Sequence, residues 1–323
     1  MAVSNSPNAT PPEDNLALLC SDSFSKRQQA LEALDQAYDM AAAKISVTEL
    51  LKLLQNDHAG VRCAAAIALG CTPAAASHGT VLEELHAMLE DSSQDESVNA
   101  AMRAAVLPAV QPALRRPDCA AALALQRMGE PGARYAKDIA AWLDHVCHEH
   151  RCASCYALGG MGRVALDFHE ELEKKLDDPV SQVAEAACFA LGRAYAGANH
   201  VPHMALVHKV AGMLNSVYPG VRGAAAVALG CFGEEGCYFL DEIVKLLQDP
   251  IAQVRCSAVQ GIASMGKEGQ MYAVQVARLG TMDPDPTVRA AVLEALLHMG
   301  ERGSWLLEEA APHLMHSPGR TGI

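Results

Sequence analysis

Val61-Arg62-Cys63-Ala64-Ala65-Ala66-Ile67-Ala68-Leu69-Gly70 returns almost unchanged as Val221-Arg222-Gly223-Ala224-Ala225-Ala226-Val227-Ala228-Leu229-Gly230. Looser copies begin at His150, Val183, Val254 and Val288, and weaker ones at Lys26 and Pro117. The starts at 26 and 61 lie 35 residues apart, and those from 117 onward lie 33, 33, 38, 33 and 34 apart. Self-similarity at a fixed period of this size marks a repeat array. With the first residue of each copy counted as position 0, position 8 is Leu34, Leu69, Leu125, Leu158, Leu191, Leu229, Ile262 or Leu296, always a branched aliphatic. Position 7 is Ala in every copy but one, where it is Gly261. Positions 0, 4, 7, 8 and 11 fall on one helical stripe, so each copy predicts a helix with one buried face. Its smallest residues recur at one place, where two helix backbones can approach closely.

Turn signals separate the copies. Asp178-Pro179, Tyr218-Pro219-Gly220, Asp249-Pro250 and Asp283-Pro284-Asp285-Pro286 each precede a start, where Pro ends one helix and Asp can cap the next. Gly162, Gly233, Gly266 and Gly300 follow the helices, and a glycine there offers a left-handed stop. A second amphipathic segment lies between copies, as in Leu240 to Leu247 or Val81 to Leu89. One helix pair per period follows.

The Asp-Pro turn, the Val-Arg start and the Ala-Leu-Gly ending resemble the short HEAT-like repeat of the phycobilisome-lyase type. The resemblance spans residues 15–316 and implies an all-α fold, a right-handed α-solenoid of about eight to nine helix pairs. The expected organisation is a disordered leader over 1–14, a single solenoid over 15–316 and a flexible tail over 317–323. From 61 to 117 the spacing is 56 residues and Val98 to Leu114 gives no clean copy, which predicts an irregular or shortened helix pair near residues 90–116. The unit between Val183 and Val221 is long instead, with Asn199-His200-Val201-Pro202-His203 as its insert. Such insertions are where solenoids often carry binding features.

Half of the chain is apolar, but only 4% is aromatic, so small aliphatic side chains fill the core. The formal charge of −13, with no Lys/Arg cluster, argues against nucleic acid and for protein partners bearing basic patches. No apolar stretch is long enough to span a bilayer, so no membrane insertion is expected. Eleven cysteines without a secretion signal point to free thiols and a cytoplasmic setting.

His145-Val146-Cys147-His148-Glu149-His150-Arg151-Cys152-Ala153-Ser154-Cys155 holds residue types that bind zinc. The repeat offers another reason for its cysteines. Cys63, Cys119, Cys152 and Cys256 stand at position 2, Cys155 and Cys188 at position 5, and Cys71 and Cys231 at position 10. At recurrent small-residue positions Cys serves as a compact hydrophobe, so neither a metal nor another cofactor is expected.

Deoxyhypusine hydroxylase resembles this array and carries iron-binding His-Glu pairs at positions 2 and 3. Here those slots read Gln28-Gln29, Cys63-Ala64, Cys119-Ala120, Cys152-Ala153, Glu185-Ala186, Gly223-Ala224, Cys256-Ser257 and Ala290-Ala291. The pairs His148-Glu149 and His169-Glu170 lie out of register. Position 1 repeats as Arg27, Arg62, Arg151, Arg222, Arg255 and Arg289, which predicts a ladder of ion pairs with the turn aspartates. A ligand-binding row of arginines is the alternative.

In solenoids of this resemblance the second helix of each pair lines the concave side. Position 6 reads Glu32, Ile67, Leu123, Tyr156, Phe189, Val227, Gln260 and Glu294, apolar at the centre and polar at the ends. Ile67, Leu123, Tyr156, Phe189 and Val227 are the candidate groove for a partner segment. The same side chains could equally pack between layers. The expected function is a non-catalytic scaffold within a multi-protein complex. The alternative is an enzyme or enzyme subunit of the bilin lyase or hydroxylase type.

Overall fold

The computed structural model describes residues 12–36, 46–94, 116–198, 200–301 and 303–306. They are helical, with no strand among them. The chain divides into two compact units, Met1–Val164 and Ala165–Ile323.

In the first unit, helices α1 (Pro12–Leu19), α3 (Val47–Leu53), α5 (Gly79–Ala87) and α7 (Ala136–Ala140) are the first members of their pairs. The second members are α2 (Phe24–Gln36), α4 (Ala59–Gly70), α6 (Pro117–Arg127) and α8 (His148–Gly160), which stack in that order. Helix α1 begins at Pro12, three residues inside the expected leader. In the second unit, α9 (His169–Lys175), α11 (Met204–Gly212), α13 (Leu240–Lys245) and α15 (Ala273–Met282) pair with α10 (Ser181–Tyr195), α12 (Pro219–Cys231), α14 (Ala252–Ser264) and α16 (Pro286–His298). Again the second helices stack directly on one another.

The position-8 side chains Leu69, Leu125, Leu158, Leu191, Leu229, Ile262 and Leu296 are fully buried. Cutting one to Ala should cost about 2–5 kcal/mol, the usual loss for an aliphatic core residue. The stack is tight because position 9 is often glycine. A Cβ on Gly230 would stand 2.5 Å from the Gly261 carbonyl oxygen and 2.8 Å from its Cα. The stops after the helices take positive φ, from 59° at Gly266 to 68° at Gly233, the region where glycine has no steric cost.

The irregular unit expected near residues 90–116 falls mostly outside the described residues, and only its flanking helices are described. Helix α4 packs directly on α6, and α5 packs on α6 as its pair partner. Residues 95–115, including Val98 to Leu114, lie outside the described residues, as do 1–11 and 307–323. After α16, residues 303–306 are the last described, and they are helical. No described helix is long and apolar enough to cross a membrane.

Candidate functional site

The second-helix rows of the two units differ in exposure. In the first unit Ile67 and Tyr156 are buried, 9% and 8% exposed, while Leu123 between them is half-buried. In the second unit Phe189 and Val227 are half-buried and Gln260 and Glu294 exposed. The polar end opens: Gln260, Ser264, Glu294 and His298 help line a pocket of about 430 Å³ between α14 and α16. Position 10 adds polar character. Arg127 donates from Nη1 to Cys71 Sγ at 2.7 Å, and Arg193 is exposed near Cys231.

One edge of each stack carries the arginine ladder. Arg222 donates from Nε and Nη2 to Asp249 at 2.9 and 3.0 Å, and Arg255 to Asp283 at 2.7 and 2.8 Å. Arg62 holds Asp91 in the same way, at 2.7 and 3.3 Å. The third nitrogen of each guanidinium turns back to its own turn. Nη1 of Arg222 reaches the carbonyls of Ser216 and Val217, that of Arg255 those of Asp249 and Pro250, and that of Arg62 those of Asn56 and Asp57. Each rung thus ties one inter-helix turn to the next. The acids also organise their turns: Asp249 Oδ1 accepts from Ile251 N–H at 2.9 Å, and Asp283 Oδ1 from Asp285 N–H at 2.9 Å. Burial pushes both carboxyls up, but the bonds and charges of Arg222 and Arg255 bring them below the ordinary carboxylate range.

One rung is reversed. Position 1 of α6 is Asp118, and the turn residue that should carry the acid is His145. His145 keeps the turn role, its Nδ1 accepting from Cys147 N–H at 3.1 Å. Asp118 is 2% exposed and binds elsewhere. Arg116 donates to it from Nε and Nη2 at 3.2 and 3.0 Å, Cys119 N–H at 2.7 Å, and His150 Nε2 lies 2.9 Å away. His150, itself buried, takes position 0, where most copies place Val. Its ring lies 4.1 Å from that of His145 and edge-on to Trp142. With Nε2 turned to Asp118, Nδ1 is buried without a partner. Burial pushes the Asp118 carboxyl up, while hydrogen bonds and charge from His150 and Arg116 hold it below its ordinary range. The repeat contained the signal, since a start followed by Asp is a departure, but the position-1 row as read did not include it.

Asp118, Cys119 and His150 are also the one grouping among the described residues close enough to share a metal ion, their ligand atoms lying within 4.8 Å of one another. Their chemistry does not suit one. The Arg116 Nη2 lies 3.3 Å from His150 Nε2, so a divalent cation would have to displace a buried guanidinium. The Cys119 thiol is pushed well above its usual range, first by burial and then by the Asp118 charge, which opposes the thiolate a metal needs. Cys152 and Cys155, from the zinc-like string, are buried in α8, and Cys188 is pushed up to about 12 by burial. Of the out-of-register pairs, His148-Glu149 forms the first turn of α8. His169-Glu170 opens α9, with His169 Nδ1 against the Leu166 carbonyl at 2.8 Å.

The HEAT repeat model matches residues 239–268, which contain α13, the Asp249 turn and α14. No curated protein matches the sequence. Among solved structures, a chain from the complex of Kap95p with RanGDP is 12% identical over 94% of this chain and 44% of that chain, with a TM-score of 0.52. A Kap121p mutant is 16% identical over 90% of this chain and 33% of that one, with a TM-score of 0.53. This chain thus spans less than half the length of either. Human deoxyhypusine hydroxylase in complex with glycerol is 14% identical over 89% and 95%, but its TM-score of 0.34 carries no argument. The internal repeat, the HEAT repeat match over residues 239–268 and the helix stacks together show an all-α, solenoid-type fold built from HEAT-like repeats.

Proposed function

We propose that this chain is a non-catalytic protein–protein interaction scaffold that holds a partner segment against its second-helix wall. The carrying observation is the wall itself. In the second unit its bulky position-6 residues Phe189 and Val227 are only partly covered, and its polar end opens into the Gln260–Glu294–His298 pocket. A partly open apolar row with a polar end suits a bound segment better than a small-molecule reaction. The second-helix row of the first unit is a candidate of the same kind, with Leu123 half-buried and Ile67 and Tyr156 covered. The net charge of −13 favours a partner with basic patches. The fold supports the reading as well, because Kap95p is bound to RanGDP in the similar structure. We place the protein in the cytoplasm, in a multi-protein complex, with no bound cofactor and no nucleic acid.

Affinity capture followed by mass spectrometry supplies the partner, and two classes of variant test the wall. Phe189→Ala and Val227→Ala should each weaken capture, Phe189 the more, by about 2 kcal/mol or roughly thirtyfold if it is a central anchor. Neither should lower Tm as far as Leu191→Ala, which removes a fully buried side chain. Capture unchanged by both variants would overturn the assignment.

A further inference from the structure

In the second unit, three large apolar side chains project into solvent from the edge where each second helix hands over to the next first helix. Tyr238, Met271 and Trp305 are 75%, 65% and 59% exposed. They stand 33 and 34 residues apart, each seventeen positions after a repeat start. Their shared aim has a structural cause. Each follows the same two-glycine turn, Gly233/Gly236, Gly266/Gly269 and Gly300/Gly303. The first glycine takes positive φ. The second lies flat on the helix it leaves: a Cβ there would sit 1.9, 2.0 or 2.1 Å from the carbonyl oxygen of Leu229, Ile262 or Leu296. Pinning the backbone two residues before each projecting side chain gives all three one direction and makes them a row.

The ground around the row is acidic. Glu234, Glu235, Glu268 and Glu301 stand in the three turns with Lys267, the sequence adds Arg302, and Asp241 follows at the head of α13. The acids act across neighbouring turns, since Glu268, Glu234 and Glu235 all add to the upward push that burial gives the Cys237 thiol. Asp241 accepts a hydrogen bond from Tyr272 of the next repeat.

We infer that this edge is a docking surface for a basic amphipathic helix of a partner protein. Stacked helices repeat every 8–10 Å or so, and a helix returns a side chain to one face every seven residues, about 10.5 Å. Apolar residues at i, i+7 and i+14 therefore match Tyr238, Met271 and Trp305, and flanking Lys or Arg residues meet the glutamates. A helix also satisfies its own backbone, which the row, having no strand edge, cannot do for an extended chain. A second copy of this protein fits less well, because it would bring a like-charged edge. The site is separate from the second-helix wall and does not depend on it.

The test uses the full chain with Trp142→Phe, so that fluorescence reports Trp305 alone. The probe is a synthetic helix with Leu at i, i+7 and i+14 and Lys on both flanks. Its controls are a scrambled peptide and one with Glu for Lys. The Lys peptide should shift the Trp305 emission and bind at least about tenfold more weakly in high salt, as exposed charges are screened. Met271→Ser and Tyr238→Ser should weaken it by a similar factor without lowering Tm, and Phe189→Ala should leave it unchanged. Failure of the Lys peptide to bind, equal binding of the scrambled peptide, or indifference to Met271→Ser would overturn the proposal. So would concentration-dependent self-association that Met271→Ser abolishes, which would give the row to a second copy.

Discussion

Two rungs of the ladder solve one problem with opposite polarity. At Arg222–Asp249 and Arg255–Asp283 the cation sits on the helix and the anion on the next turn. At Asp118 the anion sits on the helix, the turn carries His145, and the arginine has moved to Arg116, directly before the helix. Regular guanidiniums keep a partly open side and bind two carbonyls as well as their acid. The reversed cluster is sealed, and it leaves one polar atom, His150 Nδ1, without a partner. The order of charges is therefore not fixed along the array, but reversing it trades partly hydrated pairs for a buried set that depends on complete pairing. The unit starting at Val183 supports this co-dependence from the other side. Its position 1 is Ala184, and the facing turn residue is the uncharged Ser216.

The largest effect that separates the two kinds of rung should come from removing the acid. Asp118→Ala strands a buried guanidinium and imidazole, and a broken buried pair costs about 3–5 kcal/mol. Asp283→Ala leaves Arg255 with its carbonyl partners and access to water, so the loss should be about 1–3 kcal/mol. Urea unfolding midpoints of the two variants measure the difference. Equal losses would show that burial does not distinguish the rungs.

A smaller effect should come from restoring the regular polarity. In a His150→Val background, Asp118→Arg and His145→Asp should each destabilise alone and partly rescue each other together. The coupling energy should fall within about 0.5–3 kcal/mol, the range for neighbours in one network. Additive losses would mean that the reversed rung is fixed by its surroundings rather than by its own charge order.

The smallest effect is in pH dependence. His145 is held below the ordinary histidine range, first by burial and then by the nearby His150. A base depressed in the folded state contributes stability that is present above its usual pKa of about 6.5 and is lost as pH falls through the folded value. The aspartates of the regular rungs, also depressed, lose theirs only below the usual carboxylate range, near pH 4. Between pH 7 and 5 the reversed rung should therefore carry a slope that the regular rungs lack. His145→Asn keeps the turn acceptor, as Asn56 does for His58 N–H at 2.9 Å, and should flatten the change of Tm over that interval. An unchanged slope would place the titration elsewhere.

The helix pairs, their period, the buried position-8 row and the regular Arg–Asp rungs were legible in the sequence. Each of these depends on residues close together in one repeat or on a pattern that the next repeat copies. A 3.6-residue period, a proline at a turn and a glycine at a stop act locally, so eight imperfect copies report the same rule. Three features were decided by tertiary structure. Helix α4 packs on α6 across the long spacing, because chain length alone does not say which helices become neighbours. His150 reaches Asp118 because a position-0 residue faces the preceding helix at a distance that only stacking sets. Ile67 and Tyr156 are covered while Leu123, Phe189 and Val227 stay half open, although all five occupy position 6. Helical periodicity determines which way a side chain points, but how much of it a neighbouring layer covers depends on how closely small residues such as Gly230 and Gly261 let the backbones approach.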